Sequence, residues 1–296
     1  MVSNRTLPGP VLITGCSTGI GRLTARYLLR AGYRVCATAR DPETVRELAA
    51  EGAHTCALDV TDEDSMAKAV AEVDHLYGRI GALVNNAGYG EYGPVENVPM
   101  DRVRAQFETN VFGAARMCQL VLPVMRRAGG GRIITMSSVG GRMTFPGGGF
   151  YNASKYAIES LSDALRFEAA PFGVSVSVIE PNLIRDTRFE DHVGASLDRN
   201  TDREGPYRGL VRAIQDQMNR CFDGKQMSSP PELVASTVHR ALRSRRPRSR
   251  YVVSMSGKLI LASQRLVPDL SMDTILRRQF GLTRSGVYNG KYARPE

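Results

Sequence analysis

Cysteine is scarce in this sequence, and its few copies do not organise. There are five: Cys16, Cys36, Cys56, Cys118 and Cys221. An odd count, with no C-x-x-C pair and no histidine read as a partner nearby, argues against a disulfide framework and against a zinc site. No metal is expected. Cys36 and Cys56 fall in apolar, strand-like runs and read as small buried hydrophobes, which points to a reducing, cytoplasmic setting. Long apolar runs are missing too. None approaches the roughly 20 residues that cross a bilayer, and the start, MVSNRTLPGPVLITG, has no apolar stretch ahead of a cleavage site, so no signal peptide is expected. No linker rich in Gly, Ser or Pro divides the chain and no repeat runs through it, so 1–296 reads as a single domain. Hydrophobic residues at 42% and charged residues at 23% exclude a disordered chain. Acid is in deficit, for a formal charge of +9, but only locally: from His239 onward 13 Lys and Arg face 3 Asp and Glu, and the rest is nearly neutral.

What is present is an alternation. Short apolar runs at about 11–14, 33–38, 54–58, 82–85, 132–137 and 174–179 read as strands. Helical patterns fill the gaps, with two helices over about 101–127 and a long one over 151–170. Continuous, β-branched strands alternating with helices predict a parallel sheet covered on both faces. Beyond Glu180 the rhythm changes. Residues 183–229 are polar, Pro230-Pro231 opens a further helix, 250–253 reads as a last strand, and a mainly helical tail follows.

Thr14-Gly-Cys-Ser-Thr-Gly-Ile-Gly21 lies between the first strand and the first helix. Its glycines permit a tight turn and close approach of backbone to a ligand. The helix N-terminus beyond offers free N–H groups and a positive dipole end to a pyrophosphate. Gly15, Ser17, Thr18, Gly19, Ile20 and Gly21 are the candidates there; an ordinary strand–helix connection is the lesser alternative. At the end of the second strand an NAD site usually places an acid for the ribose 2′-OH. Here Ala39 is followed by Arg40, whose guanidinium suits a 2′-phosphate. NADP(H) is therefore the expected cofactor, with Arg22 as a helper and Asp41 as a turn or cap residue. Asp59, with Val60 after it, is a candidate for the adenine, although Asp59 also suits a cap and Asp62 is better placed for one. Asn86, Ala87 and Gly88 end the fourth strand, where amides bridge backbone or touch the adenosine.

Ser138 ends the fifth strand, and Tyr151 and Lys155 share one face of the long helix at i,i+4. A neighbouring ammonium is expected to lower the phenol from its usual ~10. A phenol so tuned gives a proton to a carbonyl oxygen or takes one from an alcohol, with Ser138 holding the same oxygen. Tyr156 projects elsewhere, and Ser137 points to the opposite sheet face. Such a pair is by itself commonly a solvated helix face.

Over about residues 9–190 the chain resembles the classical short-chain dehydrogenases/reductases. The resemblance rests on Thr14-Gly-x-x-x-Gly-x-Gly21, Asp59, Asn85-Asn-Ala-Gly88, Asn110, Ser138 and Tyr151-x-x-x-Lys155, and it looks most like the 17β-hydroxysteroid and retinol dehydrogenase branch. It implies a doubly wound seven-stranded parallel sheet, a Rossmann α/β fold with a helical C-terminal extension. It implies a catalytic set of Asn110, Ser138, Tyr151 and Lys155, with Lys155 on the nicotinamide ribose and Asn110 anchoring a water. A homodimer or homotetramer pairing through the helices at 101–127 and 151–170 is also implied. The family's Pro-Gly after the sixth strand reads Pro181-Asn182 here, with Thr187 one residue late. Pro181 is kept as a cofactor candidate, and Asn182 is expected to tolerate the turn.

The segment 183–229 is then the substrate side, with Phe189, Tyr207 and Phe222 as candidates beside Met143 and Phe145. Their bulk suggests a hydrophobic steroid-, polyketide- or retinoid-like substrate, although ordinary core packing is the favoured reading for most of these side chains taken singly. The arginine run 240–250 reads as a solvated face flanking the last strand; sharper readings are contact with anionic lipid or with an acidic carrier protein. The stretch 256–279 has the look of an amphipathic surface helix. No nucleic-acid reading motif accompanies the charge. The competing class is a non-catalytic NADP(H) sensor on the same fold.

Overall fold

The strands form where the chain can be dry on both faces. A computed structural model describes residues 9–202, 205–223 and 228–280. In it Val11–Ile13 (β1) and Val35–Ala39 (β2) are buried at every residue. His54–Ala57 (β3), Ala82–Asn85 (β4), Gly131–Met136 (β5), Val174–Glu180 (β6) and a late strand at Arg250–Val252 complete one sheet. Leu183–Ile184 is β7, Ser228–Ser229 is β8, and the strand at Arg250–Val252 is β9. The main sheet runs β3-β2-β1-β4-β5-β6-β9 with every pair parallel, while β7 and β8 make a separate parallel pair. The seven-stranded doubly wound sheet expected of the sequence is therefore present.

The period of two along β1 feeds two cores. Val11 and Ile13 pack with Val234 and Val238 of Pro231–Arg243 (α9) and with Leu28 of Gly19–Arg30 (α1). Leu12 faces the other way, onto Val70 and Val73 of Glu63–Tyr77 (α3) and Met117 and Val121 of Ala114–Arg127 (α5). Each such side chain, fully buried, contributes about 1.5–3 kcal/mol. Arg46–Ala50 (α2), Met100–Phe107 (α4) and Gly149–Ala169 (α6) complete the two helical layers. The strand order reverses between β1 and β4, which opens a crevice at the strands' carboxyl ends.

Two departures matter for function. The helices expected over 101–127 are one run, widened at Glu108–Gly113 into a π-helical turn that carries Asn110. Gly113 is needed there, because a Cβ on it would lie 2.2 Å from the Val60 carbonyl oxygen. The polar stretch 183–229 is also more ordered than its composition suggests. Arg188–Arg199 (α7) and Arg208–Asp223 (α8) bury Val193, Leu197, Val211 and Ile214, stripes at helical spacing inside polar surroundings. The tail folds as Met255–Leu266 (α10) and Asp269–Gln279 (α11), broken at Pro268.

Candidate active site

The glycine turn is built as a cradle. Gly15 and Gly19 hold φ of +72° and +55°, a region that side chains disfavour. A Cβ on Gly21 would lie 2.2 Å from the Gly15 carbonyl oxygen and 2.5 Å from Asn86 Nδ2. Thr18 enters α1 in an extended conformation with no side-chain cap, so the first N–H groups of this 12-residue helix face outward. Ser17 and Ile20 flank them, half-buried. Asn86 bolts the turn to the end of β4: its Nδ2 donates to the carbonyls of Thr14 (2.9 Å) and Gly15 (3.1 Å), and the Asn86 and Ala87 N–H groups donate to Thr14 Oγ1. Uncapped helix donors over a turn with no room for side chains fit a dinucleotide's pyrophosphate. Arg40 stands exposed at the end of β2, on the same rim. Arg22 is occupied elsewhere, donating to the Thr44 carbonyl and pairing with Glu47. Asp41 accepts from the Glu43 N–H as a cap, and Asp62 caps α3. Asp59 accepts from Thr61 N–H and Oγ1, beside the buried Val60.

Tyr151, Ser138 and Lys155 converge at the carboxyl end of β5. Ser138 Oγ accepts from the Gly140 N–H at 3.0 Å and makes a side-chain hydrogen bond with Tyr151. It also donates weakly to the Pro181 carbonyl, at 3.4 Å. Lys155 Nζ donates to the Met136 carbonyl at 2.9 Å and lies 5.8 Å from the centre of the Tyr151 ring. Ser137 faces Glu159 on the other side of the strand, and Tyr156 is exposed. The expectation of a depressed phenol is not met. Burial pushes Tyr151 up to about 12, which outweighs the lowering by Ser138. Burial likewise brings Lys155 down to about 8, with Glu159 opposing the fall. Spacing at i,i+4 brings the groups together, but a dry site penalises both charged forms. Asn110 side-chain bonds run to Tyr89, accepting its N–H at 3.0 Å and donating to its carbonyl at 2.8 Å, and to Ser154 Oγ. Gly88 keeps the floor open: a Cβ there would lie 3.0 Å from Asn110 Oδ1 and 3.6 Å from Lys155 Nζ.

The walls over Tyr151 are aromatic. Phe189 lies 5.5 Å from its ring centre and Tyr92 5.4 Å, and the two walls are 6.2 Å apart. Tyr92 was not foreseen; only its place in the loop after Asn-Ala-Gly hinted at it. Its neighbour Glu91 is buried among Arg102, Arg199 and Asn200, and this network ties α7 to α4. Of the other substrate candidates, Phe145 packs between the α7–α8 cluster and α11. Met143 is buried under Leu261 of α10, as core. Tyr207 donates to Glu96 and stands outside the aromatic group. The side chain of Phe222 lies outside the described residues.

Three further readings need correction. Asn182 does not take the unusual backbone angle; Asp186 does, at φ +59°, alone among described non-glycine residues. Thr187 instead comes beside Gly19, its Cβ 3.7 Å from where a Gly19 Cβ would stand, and donates to the Ile184 carbonyl. The arginine run is not uniformly solvated, since Arg250 turns inward to Glu159 and Asp163. Finally, a histidine does stand near a cysteine. His54, Cys56 and Glu72 present ligand atoms within 4.8 Å of one another at the β3 edge of the sheet, and His54 bonds Glu72 at 2.7 Å.

Fold and site together define a nucleotide-binding oxidoreductase of the doubly wound α/β class. The family model for short chain dehydrogenases matches residues 10–197, and the chain belongs to that family. It is similar to the uncharacterized oxidoreductase YbbO of Escherichia coli K12, 36% identical over 282 residues, 94% of this chain and 97% of the relative. It is 34% identical over 274 residues to a 3-ketodihydrosphingosine reductase of Bacteroides thetaiotaomicron, covering 91% and 97%. Among solved structures, a short-chain dehydrogenase from Streptomyces avermitilis superposes with TM-score 0.74 at 30% identity, covering 94% of this chain and 98% of that one.

Proposed function

We propose that this protein reduces a hydrophobic ketone or aldehyde to its alcohol, or runs the reverse, with NADP(H) and with Tyr151 as the general acid or base. The observation that carries this reading is the buried Tyr151 hydroxyl bonded to Ser138, with Lys155 one helical turn along and two aromatic walls above. The bound nicotinamide supplies or accepts the hydride. Tyr151 holds the proton: at about 12 its phenol is protonated at neutral pH, the form that donates to a carbonyl oxygen. Ser138 orients that oxygen. Lys155 places a cation beside the phenol and, with Asn110 beside the same face of Gly88, lines the path by which the proton is replaced. Gly15, Gly19, Gly21, Asn86, Arg40, Asp59 and Val60 hold the dinucleotide.

Phe189 and Tyr92 exclude water and take the apolar body of the substrate, for which a long-chain ketone such as 3-ketodihydrosphingosine, the compound in one relative's name, is the first choice. The residues 183–229 form the substrate segment of one continuous domain. Turnover of NADPH against a panel of long-chain, steroid and retinoid carbonyls tests the proposal; binding without turnover on any of them favours a sensor. Arg40→Asp should lower kcat/KM with NADPH by about 100-fold, roughly the worth of one to two charge-assisted hydrogen bonds, and leave NADH within a few-fold. Equal losses with both cofactors would sink the NADP(H) assignment.

Five unpaired thiols and the lack of a membrane-crossing helix among the described residues support a cytoplasmic site of action. Exposed Phe112, Tyr156 and Leu161 on the α5 and α6 side support pairing of two copies there. On α10 and α11, Leu259, Leu266 and Leu270 are 66%, 83% and 83% exposed beside Lys258, which supports contact with an anionic bilayer carrying the substrate. The full chain should sediment with vesicles containing anionic phosphatidylglycerol and be released by 0.5 M salt, a concentration of order several times physiological. Sedimentation with neutral vesicles alone would refute a charge-assisted contact.

A further inference from the structure

Behind the Tyr151–Lys155 pair lies a buried cluster of charge that the reaction as described does not use. Helix α6 repeats its buried face every four residues, so Tyr151, Lys155 and Glu159 stand in one row. Glu159 meets Arg250 of β9, whose Nε donates to Glu159 Oε2 at 2.9 Å and whose Nη2 donates to Asp163 Oδ2 at 2.6 Å. Across the cluster, Glu180 at the end of β6 is 0% exposed. Its Oε1 lies 3.4 Å from Arg142 and 3.5 Å from Arg250. One oxygen of each buried glutamate, Glu159 Oε1 and Glu180 Oε2, has no hydrogen-bond partner. The packing leaves no slack, since a Cβ on Gly141 would lie 3.1 Å from Glu159 Cγ and 3.0 Å from the Lys155 carbonyl oxygen.

Unpaired buried carboxylate oxygens are costly to retain for stability alone. Glu159 stands one helical turn beyond Lys155, and Glu180 on β6 shares Arg250 with it, which gives the pair an electrostatic use. We propose that Glu159 is a positioning residue for proton transfer at Tyr151: anchored by Arg250, its carboxylate keeps the Lys155 ammonium charged, while Glu180 carries the proton when both acids cannot be ionised together. This rests on the reading of Tyr151 and Lys155 as the reacting pair.

The groups facing Glu159 are Lys155 and Asp163 on α6, Ser137 on the β5 side, Arg142 after β5, Glu180 on β6 and Arg250 on β9. Burial favours neutral Lys155, and Glu159 is the charge that opposes it. Glu180 is raised to about 7, first by burial and then by Glu159. Two like charges sharing one guanidinium titrate as a pair. Removing the Glu159 charge therefore lowers the pH at which Lys155 loses its proton.

The chain has five lysines, few enough for the Lys155 signal to be followed directly. The full-length protein, labelled at lysine Cε with ¹³C, is titrated by NMR, with Lys155→Met to assign the resonance. Glu159→Gln is expected to move the Lys155 midpoint down by about one pH unit, Glu180→Gln to move it less, and Glu159→Asp to restore most of the wild-type value. The Lys155-dependent limb of the kcat/KM pH profile should follow the same order. A Lys155 midpoint unmoved in folded Glu159→Gln overturns the proposal, even where the melting temperature falls, because that combination describes a purely structural ion cluster. Should Glu159→Gln not fold, Glu159→Met, which removes the charge but fills the same buried space, decides on the same terms: a midpoint lowered by about one pH unit supports the role and an unmoved one removes it. The titration needs no turnover, so loss of the oxidoreductase reading through absence of activity and loss of this one through an unmoved midpoint are separate results.

Discussion

Tyr151→Phe should cut kcat by about 10²- to 10⁴-fold, the range for removing a positioned acid–base group, while leaving NADPH affinity and the fold nearly intact. The substitution deletes one oxygen. The ring keeps its places against Tyr92 and Phe189, so no cavity opens. Ser138 Oγ loses the phenol but retains the Gly140 N–H. A single lost hydrogen bond costs about 0.5–1.5 kcal/mol in stability, a small part of a typical domain's 5–15. NADPH fluorescence on binding, melting temperature and single-turnover reduction of a long-chain ketone separate the three quantities. Turnover retained within ten-fold would remove Tyr151 from the chemistry. Loss of cofactor binding in step with turnover would mean that the ring is a packing element of the nucleotide site instead.

Whether Tyr151 serves as acid or base was less legible than its place. The sequence shows that Tyr151 and Lys155 share a helix face, and they do. It does not show how much water reaches them. The ammonium expected to lower the phenol is itself weakened by the same burial, which brings it down to about 8, and burial of the phenol outweighs what it supplies. The sheet was readable because its central strands β1, β2 and β4 are dry on both faces, which leaves continuous apolar runs with no other good place to go. The glycine turn was readable because positive φ and close backbone approach leave few alternatives to glycine. The buried ion cluster lay beyond reach because its members are distant along the chain. Arg250, Glu159, Glu180 and Arg142 come from four segments, and nothing local marks Arg250 as the inward-turned member of a run of exposed arginines. Tyr92 belongs to a loop whose sequence carries no periodicity. Tyr207 is an aromatic in the segment expected to hold substrate, and its hydroxyl turns to Glu96, a partner distant in the chain that its own surroundings do not announce.

Gly21→Ala should be strongly damaging for a single added methyl, and Gly194→Ala should be its harmless twin. Both glycines lie in helices, α1 and α7, and helix propensity alone favours alanine at each by up to about 1 kcal/mol. At Gly194 nothing lies within 4 Å of the added Cβ, so that preference stands unopposed and the melting temperature should rise slightly. At Gly21 the Cβ would be 2.2 Å from the Gly15 carbonyl oxygen and 2.5 Å from Asn86 Nδ2. Neither atom can yield cheaply. Gly15 sits in a tight turn at φ +72°, with its own Cβ position 2.9 Å from Ala87 Cα, and Asn86 spends its amide on the Thr14 and Gly15 carbonyls. Moving α1 away would break the bolt between β1 and β4 and withdraw the helix N-terminus from the pyrophosphate. Overpacking of this kind costs about 1–3 kcal/mol before the lost hydrogen bonds are counted. The expected result is a melting temperature lowered by several degrees, of order the shift for such a ΔΔG in a chain of this size, and NADPH affinity reduced by at least about ten-fold, or 1.4 kcal/mol. Thermal unfolding with and without NADPH reads both terms at once. Gly21→Ala melting and binding like wild type would show that the turn has room for a side chain, and with it would go the argument that these glycines exist to bring backbone against a dinucleotide.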